Sequence, residues 1–115
     1  MSPERQWKFR IAHILDAIEK IFRYTSGMTF EEFAADERTI DAVIRNFLVI
    51  GEAARHIPDH VRDATADVPW KLMEGMRHIL VHDYETVRLE TLWKTIADDL
   101  PPLIPNLRRI AEMKS

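Results

Sequence analysis

Cysteine is absent from this chain, so it has no disulfides and no thiolate zinc site, and a reducing compartment is expected. No apolar run approaches the roughly 18 residues needed to span a bilayer, and no signal peptide is visible. A soluble, cytoplasmic protein without a membrane partner is expected. A basic excess is missing too: 16 Lys and Arg stand against 19 Asp and Glu, for a formal net charge of −3. Proteins that coat nucleic acid draw their affinity from many phosphate contacts, so the charge argues against that class, whereas it does not exclude a nuclease with one small basic cleft. Strand-like alternation, internal repeats and low-complexity tracts are also lacking.

What is present is helical periodicity over 115 residues. That length implies a single domain, residues 1–115, which buries roughly two-thirds of its unfolded surface. Ser2 and Pro3 offer a cap and a first-turn proline, and Trp7, Ile11, Ile14, Leu15, Ile18, Ile21 and Phe22 form the stripe of a long first helix that Gly27 closes. Thr29 and Glu32 have capping-box spacing for a short turn with Phe30 and Phe33. Asp36 caps a second long helix, with Ile40, Val43, Ile44, Phe47, Gly51 and Ala54 on one face, until Pro58 stops it. Gly51 would let a neighbouring helix approach closely, at about 1 kcal/mol in propensity against alanine. Residues 58–68 form a polar connection with room for a helical turn, and Pro69 opens the next helix. Thr86 is placed to cap a fourth, bearing Leu89, Leu92, Trp93 and Ile96. Pro101 and Pro102 separate it from a last one with Leu103, Leu107 and Ile110. The expected fold is all-α, an antiparallel bundle of four main helices with a shorter extra one.

The chemistry gathers in residues 70–84, WKLMEGMRHILVHDY, where Arg77, His82 and Tyr84 read R-x-x-x-x-H-x-Y. On a wheel of about 100° per residue, Leu72, Met73, Met76, Ile79 and Leu80 gather on one side, the expected core face. Glu74, His78 and Val81 lie opposite, flanked by Arg77 and His82. Arg77 and His82 diverge by about 140° on a regular helix, so one helix aims them poorly at one atom. A second copy facing the first across a twofold axis would remedy that. Taken singly, each residue has a plainer reading. Arg77 would be an ion-pairing arginine with Glu74 three residues earlier as its partner, His82 a helix C-terminal histidine facing the dipole, and Tyr84 a packing residue.

Taken together they resemble the motif of the HEPN superfamily in its HepT-like branch, RNase toxins paired with a minimal nucleotidyltransferase antitoxin. The resemblance runs through FAADERTIDAVIRNFLVIGEAARHIP, the PW before the motif helix, the motif itself and LWKTIADDLPPLIPNL. His78 is a departure, since asparagine often follows the arginine in such proteins. The resemblance implies a HEPN-like bundle and a homodimeric, metal-independent endoribonuclease with no cofactor. It would be the toxin of a type VII-like toxin–antitoxin pair, cutting RNA in a cleft between subunits. Arg77 and His82 would be catalytic: arginine pairs its planar fork with phosphate oxygens, and histidine titrates near working pH. The resemblance makes Tyr84 the residue to which the antitoxin transfers AMP from ATP.

His78 is a candidate for a second proton transfer. Arg38, Arg45 and Glu52 recur every seven residues away from the apolar stripe, as a solvated face or, for Arg45 and Glu52, as auxiliary residues of a dimer cleft that orient Arg77 or touch RNA. His78 and His82, and likewise His56 and His60, have a zinc-compatible i, i+4 spacing. Pro58 interrupts the second pair, the first lacks the Glu of H-E-x-x-H, and no metal site is expected. His13 is read as a packing or boundary residue, and Trp7 and Trp93 as core and interface anchors. The competing function is a non-catalytic HEPN module that binds a nucleotidyltransferase or a nucleotide.

Overall fold

A computed structural model describes residues 3–82 and 88–113, with residues 3–5, 76 and 78–82 described as backbone only. Its helices are α1 (Pro3–Thr25), α2 (Phe30–Ala34), α3 (Glu37–Arg55), α4 (Asp59–Ala64), α5 (Trp70–His82), α6 (Leu89–Lys94) and α7 (Leu103–Ala111). A π-helical stretch, Thr95–Asp99, prolongs α6. Strands do not occur among the described residues, and no helix there is long and apolar enough to cross a membrane. The protein is all-α.

The stripe of α1 forms the floor of the core: Trp7, Ile11, Ile14, Ile18 and Ile21 are buried, with Leu15 and Phe22 packed at its edge. Val43, Phe47, Ile50 and Ala54 meet it from α3, and Leu103, Leu107 and Ile110 from α7. Each fully buried Ile or Leu contributes about 1.5–3 kcal/mol. Because α3 packs against both α1 and α5, it is the central helix, and whatever it presents to solvent lies between its two neighbours. Trp93 on α6 closes one end by packing on Phe33 and Phe30, with ring centroids 5.0 and 6.2 Å away.

Local chemistry sets the helix ends. Gly27 takes φ +76° after α1, a conformation that glycine adopts without strain. Thr29 Oγ1 accepts from the Glu32 amide at 3.1 Å while Glu32 Oε1 accepts from the Thr29 amide at 3.0 Å, so two orphan donors of α2 are satisfied reciprocally. Asp36 caps α3, accepting from the Thr39 amide at 3.2 Å and its hydroxyl at 2.9 Å. Those bonds hold its carboxyl below the usual carboxylate value. At the far end of α6, the Leu100 amide reaches the Thr95 carbonyl at 3.0 Å. The widened turn precedes Pro101, which has no amide to continue an α-helical ladder. Of the expected caps, Ser2 and Thr86 lie outside the described residues; α6 begins after Arg88.

Of the five residues expected on the apolar face of α5, the side chains of Met76, Ile79 and Leu80 lie outside the described residues. Met73 is buried, but Leu72 is 54% exposed. Helix α5 lies against α3 along Met73 and Arg77, four residues apart, and this turns Leu72, one residue from Met73, away from that contact. Trp70 is buried at the start of α5, its Nε1 donating to Thr65 Oγ1 at 3.1 Å.

Arg62 on α4 locks this arrangement. Its Nη2 donates to the carbonyl of Ala54 on α3 at 2.7 Å and pairs with Glu74 of α5, and the side chain is only 18% exposed. Charged hydrogen bonds of this kind contribute about 1.5–3 kcal/mol each when partners would be left unsatisfied. Arg62→Ala is therefore expected to lower stability by about 2–3 kcal/mol, read as a lower urea midpoint at unchanged slope. An unchanged midpoint would show that the clamp is dispensable.

Candidate active site

The site begins with a missing side chain. A Cβ added at Gly51 would collide with Cβ of Arg77 and stand 3.0 Å from both the Arg77 amide nitrogen and the Met73 carbonyl oxygen. Only glycine allows α5 to sit this close to α3 at that level. The close approach places the guanidinium of Arg77 beside the next residue on α3: Arg77 Nε donates to Glu52 Oε2 at 2.7 Å. Glu74, the neighbour expected to pair with Arg77, instead pairs with Arg62.

Glu52 serves several cations at once. Its Oε1 lies 3.1 Å from Nε2 of His56 and its Oε2 3.5 Å from Nη1 of Arg55. The hydrogen bond from His56 foremost, then the charges of Arg55, Arg77 and His56, hold its carboxyl below the usual carboxylate value against the opposing effect of burial. A depressed carboxyl pKa contributes stability that is present above the unfolded value and is lost as pH falls through the folded one. The tether on Arg77 is thus intact at neutral pH and loosens only in acid. Glu52 holds Arg77 through Nε; the Nη1–Nη2 end is the edge that can still pair with two phosphate oxygens while that contact is kept.

Arg45 is exposed on the same face of α3, where a groove of about 290 Å³ between α1 and α3 is lined by Arg10, His13, Arg45, Leu48, Val49, Glu52 and Ala53. His13 is exposed and belongs to this groove rather than to the core. The structure therefore brings Glu52 and Arg77 into direct contact and sets Arg45 in the groove that Glu52 also lines. Helix α5 runs unbroken through His82, so the backbone positions of Arg77 and His82 keep their separation of about 140° around the axis. The side chains of His78 and His82 and all of Tyr84 lie outside the described residues. Among the described residues no group of three or more His, Asp and Glu is placed to hold a metal ion.

His56 is the residue that spacing alone overlooked. Sequence weighed it only as a zinc partner for His60. The usable signal was Glu52-x-x-x-His56, an i, i+4 pair between the last turn of α3 and its C-terminal cap, which seats an imidazole on the carboxylate that holds Arg77.

A family profile described as Ribonuclease HepT-like matches residues 14–110. The chain is 39% identical over 100 residues to "Probable ribonuclease HepT" of Thermococcus cleftensis, an alignment covering 87% of this chain and 91% of the relative. It is 33% identical over 102 residues to "Putative RNase TTE0752" of Caldanaerobacter subterraneus subsp. tengcongensis, covering 89% and 91%. No solved structure gives a significant match. A profile match over most of the helical bundle, with relatives aligned nearly end to end, places the chain in the HepT-like family of ribonucleases.

Proposed function

We propose that the protein is a metal-independent endoribonuclease acting as a homodimer, the toxin of a type VII-like toxin–antitoxin pair, with Arg77 and His82 as its catalytic residues. The observation that carries this reading is Arg77 itself. The first residue of R-x-x-x-x-H is seated by Gly51 and held through Nε by Glu52, which leaves the choice of phosphate-binding edge to the Nη groups.

In the reaction the 2′-oxygen attacks the adjacent phosphorus while His82 takes the 2′-hydroxyl proton. Arg77 stabilises the phosphorane, whose equatorial oxygens carry the developing charge. The bond from phosphorus to the 5′-oxygen breaks, and that oxygen receives a proton, for which His78 is the candidate donor. The products are a 2′,3′-cyclic phosphate and a 5′-hydroxyl end. Each proton transfer by a positioned side chain contributes about 10²- to 10⁴-fold.

Control falls on Tyr84. A phenol with a pKa near 10 is a poor acid or base at neutral pH, but its oxygen can attack the α-phosphorus of ATP on the minimal nucleotidyltransferase antitoxin, releasing pyrophosphate and leaving AMP on the tyrosine. The added phosphate and base would repel and block RNA in the same cleft.

Purified protein should cut a mixed RNA pool in EDTA and leave cyclic phosphate ends, while a variant lacking both Arg77 and His82 should not. Incubation with antitoxin and ATP should stop wild-type cleavage and leave Tyr84→Phe active. A folded wild-type protein that cuts nothing, with or without divalent metal, would point to the non-catalytic HEPN module instead.

A further inference from the structure

The face of α3 between α1 and α5 carries, at spacings of three and four residues, Arg45, Leu48, Val49 and Glu52. Those positions share one side of a helix. Arg45 is exposed, Leu48 and Val49 are only partly buried, and Glu52 keeps 43% of its side chain in solvent. Leu48 and Val49 pack against the core and still leave part of two adjacent branched apolar side chains in solvent at the centre of this face. A face meant for RNA alone would carry one sign of charge, yet this one has a cation at one end and a carboxylate at the other.

The arrangement is antisymmetric about the point midway between Leu48 and Val49. Arg45 and Glu52 each lie three and a half residues from it, about 5 Å along the axis. A twofold interface requires that residue i meet j and j meet i. We infer that a second copy of this chain docks here, its α3 antiparallel to the first and the axis passing between Leu48 and Val49. Arg45 then faces Glu52 of the partner subunit, and Glu52 faces Arg45 of the partner subunit. The apolar pair packs at the crossing, and Phe9, 52% exposed on α1, lies four residues before the groove residue His13.

This rests on the homodimer proposed above and gives it a consequence. Glu52 would hold Arg77 of its own chain through one contact and Arg45 of the partner subunit through another, so docking fixes the carboxylate that orients the phosphate-binding arginine. Docking would thus reinforce from across the interface a tether that each subunit already makes to its own Arg77.

The register predicts how charge reversals combine. In Arg45→Glu, both cross-subunit pairs of a homodimer become Glu facing Glu; in Glu52→Arg, both become Arg facing Arg. Mixed, one chain of each kind restores two opposite-charge pairs. Size by light scattering and native mass spectrometry should therefore show dimeric wild type, a dimer dissociation constant raised about 100-fold or more in each variant alone, and a heterodimer on mixing. Leu48→Asp should also be monomeric. Far-UV circular dichroism checks that each chain is folded; should Glu52→Arg fail to fold, Arg45→Glu and Leu48→Asp decide the matter. Dimers that persist unchanged in both would overturn this surface and leave the homodimer standing. A monomeric wild type that still cuts RNA would remove the homodimer and this surface but not the ribonuclease.

Discussion

Arg77→Ala is expected to slow RNA cleavage by about 10²- to 10³-fold, the range seen when one preorganised donor to developing charge is removed. Single-turnover cleavage measures the loss directly. His82→Ala should lose about 10²- to 10⁴-fold. The more discriminating variant is Arg77→Lys. An ammonium keeps the charge, but it is a point donor without the guanidinium fork. In the native site Nε goes to Glu52 at 2.7 Å, and the proposed role gives the Nη edge to a phosphate; lysine would have to divide one nitrogen between the two. Lys at 77 is therefore expected to remain at least about tenfold below wild type. Stability separates this from unfolding. Arg77 is 32% exposed, and Glu52 keeps His56 and Arg55 as partners after its loss, so the fold should lose no more than about 1 kcal/mol. Wild-type rates in folded Arg77→Ala would remove the arginine from the mechanism.

How much of this could be read in the sequence depends on the range of the interaction. The stripes of α1, α3 and α7 were legible because burial there follows a 3.6-residue period, and Trp7, Ile11, Phe47 and Leu107 are buried as that period requires. The capping box at Thr29 and the Asp36 cap were legible because each closes within three residues. For α5, the exposure of Leu72 was not legible. Its apolar residues, summed on a wheel, pull the expected face toward Leu72, but the helix is placed by Gly51, the gap on α3 that admits Met73 and Arg77. The sequence offered Arg77 two carboxylates, Glu74 three residues before it and Glu52 as a residue that orients it; that Arg62, twelve residues away, takes Glu74 and leaves Arg77 to Glu52 was decided by packing. Periodicity describes one helix at a time, whereas ion pairs between helices depend on where the axes cross. The resemblance to HepT-like ribonucleases supplied the motif; the packing decided which of the two carboxylates pairs with its arginine.

Gly51→Ala carries the second large effect, and its sign is a contest between two terms. Alanine is favoured over glycine inside a helix by about 1 kcal/mol, and it also narrows the unfolded ensemble. Against that, the new methyl would overlap Cβ of Arg77 and press on the Met73 carbonyl and Arg77 amide at 3.0 Å. Those are backbone and near-backbone atoms of α5, which cannot swing aside as a side-chain tip can, so the helices must separate. Overpacking of this kind costs about 1–3 kcal/mol and more for larger groups. The clash should win for alanine, lowering the melting temperature by several degrees, and win heavily for Gly51→Leu. Gly75 on α5 provides the opposite case. Nothing lies within 4 Å of a Cβ built there, so Gly75→Ala should raise stability by about 0.5–1 kcal/mol. If both substitutions stabilise, α3 and α5 are not in the close contact described. Activity adds a second readout, because moving α5 away from α3 carries the Arg77 backbone away from Glu52. A displacement of about 1 Å at a positioned group can lower a rate about 100-fold. Cleavage by Gly51→Ala should thus fall well beyond its loss of folded protein, while Gly75→Ala should cut at the wild-type rate.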